Sequence, residues 1–574
     1  MFVRRLGMEP LEDRRMLATF TVSNLLDGPV TAAGQLPGSL RQAIFDANAA
    51  AGTDQVAFSS TTGTIALTAG EFQITDALTV TGPGQSSLTI DAQQQSRIFN
   101  IDKPGTTTEN FAVTIRGLTL TKGSPSGPTP TAAANQDGGA IRSLSLGTLT
   151  VEQSLLNQNR ALGMDSGGGA IFSQGAVVIT DSTISGNTAA WNGGGVYTLG
   201  APVTLTRTTI DDNTSTDTRS RGGGVFANGI LTVTDSTISN NQSHATGGGV
   251  HIHGPSATIV NSTISGNTVT SGAGLGGGVF AIGALTLRSS TVTGNAAIRA
   301  SAGGIYAIRA VMLDHSIIAG NSAEDLFPDL KLDPNNNSVT ANHSLLGNTS
   351  DLTAEQLSRI NAGTGNLINV NAQLGSLVNN GGPTKTHALL ANSPARNAGG
   401  AAVAGSGNVP LYDQRGSSFT RVAGGRIDIG AFEDQSSVAP SGDFDGDGDV
   451  DGRDFLAWQR NPSVGSLTAW QNEYGAVEQM SALRAGASSD PTDIESENPF
   501  LWMSALSLSE TAGEVAAFID ESQPLAVDVD EVFAQLDLAP RNFVRDAADI
   551  AASRIHRTEF SAVSFDFAEE PLAS

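Results

Sequence analysis

In the middle of the chain, apolar and polar residues return to the same places at intervals of alternately 28 and 26 residues. The phrase DSTISGN ends at Asn187. Its relatives end at Asn159, Asn213, Asn241, Asn267, Asn295 and Asn321, and a weaker copy, HSLLGN, ends at Asn348. Three residues before each Asn stands Ile184, Ile210, Ile238, Ile264, Val292 or Ile318. Eight before stands Ile179, Leu205, Val233, Ile259, Leu287 or Leu313, and ten before stands Val177, Val203, Leu231, Ala257, Leu285 or Val311. Offsets ten and eight share one face of a strand, and the parity breaks near Asp181 or Asp235, which marks a turn. A second phrase, paired glycines followed by a small apolar residue, recurs at Gly139, Gly169, Gly195, Gly224, Gly249, Gly278 and Gly304. No helical period runs through the unit, and a propeller blade needs about 40–45 residues. The pattern predicts an all-β chain, a right-handed parallel β-helix with one turn per ~27-residue unit.

Within this frame the recurring Asn is expected at a coil corner. There it tolerates a left-handed backbone, and its amide can bond the same Asn in the next coil. Ser182, Thr208, Ser236, Ser262, Ser290 and Ser316 form a similar column, expected as an inward or corner hydroxyl ladder. A serine nucleophile needs one Ser with a paired base, not one in every coil. The alternation in length falls in a single edge loop between each Asn and the next glycine pair, which implies a duplicated 54-residue two-coil unit. Strands of adjacent coils stack about 4.8 Å apart, so alternating loop lengths relieve crowding.

The chain has 574 residues with 67 Gly, 5% aromatics and no Cys, so many tight turns are expected and thiol or zinc-thiolate chemistry is excluded. Its net charge of −25 is uneven: residues 1–440 carry −6, 441–475 carry −5 and 476–574 carry −14. No basic stripe suits a nucleic-acid partner, and no apolar run reaches the ~18 residues of a membrane span. The first twenty residues are basic but lack the apolar core of a secretory signal.

Several stretches carry family resemblances. Leu11 to Ala18, LEDRRMLA, resembles a short box near the start of exported proteins in one group of bacteria with elaborate envelopes. The repeats GGGVF…STISxN resemble bacterial surface β-helix proteins of the polymorphic outer-membrane-protein type. GSLRQAIFDANAAAG (Gly38 to Gly52) is similar to the opening module of such proteins, with Gly38 where Cys is usual. It reads as a helix with Ser39 as N-cap, closing the first coil. Asn380 to Gly400 and Asp413 to Glu433 resemble their closing module, with SPARNAG in place of SPAIDAG. The expected organisation is an export-associated segment at 1–18, a cap and first coils at 19–135, the repeat array at 136–350 and a closing module at 351–434. A linker at 435–441, a calcium module at 442–475 and an acidic tail at 476–574 follow. No autotransporter-like barrel is expected in the tail.

The stretch GDFDGDGDVDGRDF places Asp443, Asp445, Asp447, Asp449, Asp451 and Asp454 at the oxygen-ligand spacing of an EF-hand loop, with Gly448 at the sharp turn. Asp at the last position and the following FLAWQ resemble a type I dockerin, which implies Ca2+ and a cohesin-like or other surface-protein partner. Only one acidic loop is present, although AWQ recurs at Ala469–Gln471. Pectate lyases and polygalacturonases are also parallel β-helices, and their chemistry needs clustered Asp with Lys or Arg. Asp165, Asp181, Asp211, Asp212, Asp217 and Asp235 do not pair by spacing, and no Lys lies between Lys122 and Lys331. His251 and His253 share a strand face, as a metal pair or as stacking rings. The second residue after each glycine phrase is Ile171, Tyr197, Phe226, His251, Phe280 or Tyr306. This column is expected to face outward as a stripe that stacks on sugar rings, the alternative being an interior stack or a stripe covered by loops. The functional expectation is an exported, non-catalytic surface or matrix protein for adhesion or structural presentation, with polysaccharide as the candidate ligand. The alternative is a polysaccharide-degrading β-helix enzyme carried by its dockerin.

Overall fold

The computed structural model describes residues 17–473 except 106–108, 126–135, 272–273, 326–328, 336–337, 351, 401–403, 424, 436–443, 445–449 and 451. The unit from Gly486 to Ser574 lies outside them, and so does the acidic tail at 476–574, read from the sequence as partly helical or disordered. Three parallel sheets wind into a solenoid. Sheet I has twelve strands, from Thr19–Val22 to Val339–Asn342. Sheet II has twelve, from Gly63–Ala66 to Leu367–Ile368, and sheet III has ten, from Phe72–Ile74 to Leu330–Leu332. A seven-stranded ladder of short strands, Arg160–Ala161 to Ser322–Asp325, lies between sheets II and III along the chain. In one rung the chain passes from Val177–Thr180 through Thr183–Ser185 and Thr188–Ala189 to Val196–Thr198, then into the next rung at Val203–Thr206.

The apolar columns read from the sequence are the core. Ile179, Leu205, Val233 and Leu287 stack in sheet I, Ile184, Ile210 and Ile238 in sheet II, and Val196, Val225 and Val250 in sheet III, all fully buried. Each such side chain contributes about 1.5–3 kcal/mol by leaving water.

Sheet II is bracketed by two buried polar ladders. At its start the backbone N–H donates to the hydroxyl of the next rung in six steps: Ser154 to Ser182, Thr208 to Ser236, Ser236 to Ser262, Ser262 to Ser290, Ser290 to Ser316 and Ser316 to Ser344. At its end each Asn donates both its backbone N–H and Nδ2 to the Oδ1 of the next, from Asn159 through Asn187, Asn213, Asn241, Asn267 and Asn295 to Asn321. Nδ2 also donates to a carbonyl of the preceding rung, as from Asn241 to Ile210. Two expectations need correction. The left-handed residue is not the Asn but the one before it: Gln158, Gly186, Asp212, Asn240, Gly266, Gly294 or Gly320. The ladder also does not continue to Asn348. Asp329 supplies its last acceptor, taking Asn321 N–H and Nδ2 at 2.9 Å each, while Asn348 Oδ1 accepts from Ser350.

Helix α1, Leu40–Ala49, starts at Ser39, whose hydroxyl accepts Gln42 N–H. Its Leu40, Ala43, Ile44 and Ala47 join the solenoid core. After the last rung of sheet I comes α2, Ala354–Asn361, with a capping box between Thr353 and Gln356. The chain then doubles back. An antiparallel hairpin, Leu374–Val378 with Thr386–Leu389, and the segment to Glu433 lie along the outer face of sheet II. Thr237 Oγ1 donates to Lys385 O at 2.6 Å, Thr263 Oγ1 to Gln414 Oε1 at 2.6 Å, and Ala431 N–H to Thr291 Oγ1 at 3.0 Å. Ile317 and Leu345 pack against Leu389, Ile429 and Phe432. The outward positions Thr183 and Thr209 remain partly exposed, whereas Thr237, Thr263, Thr291, Ile317 and Leu345 are buried. The segment is therefore a strap along the flank.

Candidate functional site

The outer face of sheet III gathers the aromatic side chains singled out in the sequence. Strand register aligns Phe172, Tyr197, Phe226, His251, Phe280 and Tyr306, with Arg142 before them and Lys331 after. Ile171 is not a member: it pairs with Val196 and is fully buried in the core. In that rung Ala170 takes the place that Gly195 holds in the next, so the residue two beyond it, Phe172, takes the outward position. The parity expected for the column, outward of Val196, Val225, Val250 and Val279, is the one observed.

The rings stack on each other. Phe226 and His251 are 4.8 Å apart at 7°, His251 and Phe280 4.8 Å at 17°, and Phe280 and Tyr306 5.4 Å at 3°. Phe172, Tyr197 and Phe226 meet edge to face. Phe226, His251 and Phe280 are only 5%, 1% and 7% exposed. Their faces are occupied by one another, and the loop row closes over them. Thr246 Oγ1 lies 2.8 Å from His251 Nδ1, and a Cβ added at Gly167 would fall 2.2 Å from the Tyr197 ring. This corrects the expectation of a free stacking stripe at these three positions, because a sugar ring needs an open ring face. Tyr197 and Tyr306 keep partial exposure. His253 stacks on His251 at 6.1 Å, and no third His, Asp or Glu converges on them among the described residues. Burial, with Arg221 and His253 adding to it, holds His251 well below its ordinary pKa, so the ring is neutral.

The aromatic column gives way to a polar cluster at its start. Arg142 Nη1 donates to Asn100 Oδ1 at 3.3 Å, and Asn100 Nδ2 to Gln73 Oε1 at 2.9 Å. Arg97 pairs with Glu71 at 2.5 Å and also donates to the carbonyls of Asp137 and Gly138. Burial raises the pKa of Asp137, opposed by the Gly167 N–H and by Arg142 and Arg97. Burial also raises that of Tyr197, with Asp137 adding to it and Asn192 opposing. The spacing of single residues gave no sign of this cluster, because it joins four rungs.

Of the other acidic residues weighed in the sequence, Asp165 faces Arg219 at 3.9 Å, Asp212 stands at a left-handed corner, and the rest have partners. Asp181 binds Arg207 through two bonds of 2.6 and 2.8 Å, Asp211 accepts Ser239 Oγ and Asn240 Nδ2, and Asp217 faces Arg219. Asp235 lies beneath the strap, where burial lifts its pKa to about 6 against Asn261 and Arg207, with Asp413 adding repulsion. Within the strap, Arg415 binds Asp413 and sits 3.8 Å from both the Phe419 and Phe432 rings. Glu433 accepts the N–H groups of Ala423 and Asp428 at 2.9 Å each. Burial pushes its pKa up to about 8, although Arg421 opposes the shift.

Of the six carboxylates expected to hold calcium, Asp443, Asp445, Asp447, Asp449 and Asp451 lie outside the described residues. Asp454 stands in the first turn of α3, Gly452–Arg460. It is fully buried and accepts Phe444 N–H at 2.6 Å. Val450 is also fully buried, and Phe455 of α3 meets Trp470 of α4, Leu467–Glu473, at 4.9 Å. A carboxylate drawn back toward the start of its loop, above a buried aliphatic residue, fits a ligand at the end of a calcium loop.

Residues 106–297 match the family model described as "Right handed beta helix region". With the parallel solenoid this match defines the fold class of the repeat region, a right-handed β-helix. Among solved structures the chain is similar to the A-module of mannuronan C-5 epimerase AlgE4 from Azotobacter vinelandii, at 16% identity over 58% of this chain and 90% of that one, with TM-score 0.32. The AlgE6 A-module from the same organism gives 15%, 52% and 94%, with TM-score 0.27. Tailspike protein 3 of bacteriophage CBA120 gives 12%, 58% and 57%, with TM-score 0.26. No curated protein matches the chain.

Proposed function

We propose that this chain is an exported, non-catalytic β-helix scaffold. It presents one flank to polysaccharide at a cell surface or in an extracellular matrix and is tethered through a calcium module. The observation that carries this reading is the commitment of its polar side chains to the frame. The Ser and Asn columns are buried ladders, Asp329 ends one of them, and Asp413 and Glu433 lock the strap. The strap covers part of sheet II and loops cover sheet III, which leaves sheet I as an open flank. Between the charged rungs of Glu152 and Arg288 its outward positions are Thr204, Thr206, Thr232, Thr234, Thr258 and Thr286, all partly exposed, with Val178, Thr180 and Val260. Hydroxyls repeating every ~4.8 Å on an uncharged face suit a neutral hydroxylated polymer.

Asp443, Asp445, Asp447, Asp449, Asp451 and Asp454 would hold the calcium ion, which supplies charge compensation that orders the loop for a cohesin-like or other surface-protein partner. Replacing Thr206, Thr232 and Thr234 by Glu is expected to abolish retention of the chain on immobilised neutral polysaccharide without loss of folding. Unchanged retention would move the contact off sheet I. A second reading, a polysaccharide-acting enzyme, is favoured by one observation: Asp137 and Tyr197, both shifted by burial, lie near Arg97 and Arg142. Loss of polymer cleavage on Asp137→Asn would support it.

A further inference from the structure

Asp54 is a buried carboxylate with an unfinished set of partners. It opens the second strand of sheet I, Asp54–Phe58, and is only 1% exposed. Its Oδ1 accepts the backbone N–H of Ala18 at 3.2 Å, while its Oδ2 is buried without a hydrogen-bond partner. An ionised carboxylate accepts several hydrogen bonds, and burying one against a single neutral N–H leaves its charge uncompensated. Ala18 itself is fixed, because its carbonyl accepts Gln55 N–H at 2.8 Å and the next residues pair in parallel from Thr19 with Gln55 to Val22 with Phe58. The residue before it, Leu17, is 62% exposed on the rim of an open groove of about 620 Å3.

We propose that the peptide bond between Leu17 and Ala18 is a processing site and that Asp54 is the receptor for the new N-terminus. An endopeptidase would add water across the Leu17 carbonyl carbon and the Ala18 nitrogen. The C–N bond breaks, Leu17 leaves as a carboxylate, and the Ala18 amine takes up a proton. The resulting ammonium carries three N–H donors and a positive charge at the place now held by one neutral N–H, so it can satisfy both Asp54 oxygens. A cut one residue later would remove both the Ala18 N–H and the Ala18 carbonyl from the second rung. Thr19–Val22 is the end strand of sheet I, paired on one side only, so the bond is open to a protease before that strand settles. Asp76 lines the same groove, and Asp46 of α1, which lines a second groove with Thr19, accepts Gln42 Nε2.

The test begins with N-terminal sequencing and intact mass of the chain from cells that export it. The proposal expects Ala18-Thr19-Phe20 at the start; retention of residues 1–17, or a start at any other residue, overturns it. Chains beginning at Ala18 are then melted with the amine free or acetylated, each with Asp54 or Asp54→Asn. The free amine should melt several degrees above the acetylated form at pH 6–7, and only when Asp54 is present. The ammonium gains a partner on folding, so its pKa rises above the ordinary ~8. The stabilisation is fully present below that value and is lost as pH rises through the raised one. Coincident melting of the free and acetylated chains with Asp54 intact overturns the proposal, and this comparison stands even where Asp54→Asn fails to fold.

Discussion

Asn241 shows how much one residue carries in this frame. Its Oδ1 accepts two donors from Asn213, its backbone N–H and Nδ2 both bond Asn267, and Nδ2 also reaches the Ile210 carbonyl. All of this is fully buried, so Asn241→Ala takes a partner at once from Asn213 N–H and Nδ2, from the Ile210 carbonyl and from Asn267 Oδ1. We expect a loss of about 2–4 kcal/mol in urea unfolding, with the largest gain in amide exchange at Asn213 and Gln242. The recurrence of Asn and Ser made both ladders legible in the sequence. The left-handed corners were not assigned correctly, because Gln158, Asp212 and Asn240 share their position with four glycines and so show no common residue type. The end of the Asn ladder was hidden for a related reason: Asp329 reaches its place from outside the repeat phrase.

At the scale of elements, the strap is held on sheet II by buried polar contacts, and its docking responds to pH. Burial beneath it raises Asp235 from the ordinary carboxylate value to about 6. The stabilisation this gives is fully present below pH ~4 and is lost as pH rises through about 6. Glu433, raised to about 8, and Asp428, raised by burial, act in the same direction. Amide exchange in the hairpin Thr386–Leu389 and at Tyr412 to Gln414 should therefore quicken between pH 5 and pH 8. Asp235→Asn should remove about 1–2 kcal/mol of that loss, since Asn keeps the left-handed corner at this position. Equal pH dependence in the wild type and the variant would show that Asp235 does not couple to the strap. The sequence marked a closing module here, and its motif residues are those of the buried network. Its path back along the flank was illegible, since bonds such as Gln414 to Thr237 span 177 residues of chain.

At the scale of the molecule, the repeat period alone was enough to predict a parallel β-helix, because one dimension of stacking explains every column. The aromatic face was legible only in part. Period and parity set which side of sheet III the rings occupy, whereas their cover comes from loops whose sequences share no motif. The proposed calcium module carries a separate prediction. Calorimetric titration should give one Ca2+ per chain, Asp447→Ala should abolish it, and the melting of the β-helix rungs should not move. A shift of the rungs with calcium would tie the ion to the solenoid instead of to a tether. The central claim, a scaffold that holds polysaccharide without cutting it, is tested most directly by incubating the full chain with neutral and acidic polysaccharides, with and without calcium. Bound protein and polymer length are then measured together. The account predicts retention on polymer of unchanged length. Shortened polymer, persisting after deletion of residues 441–574, would contradict it.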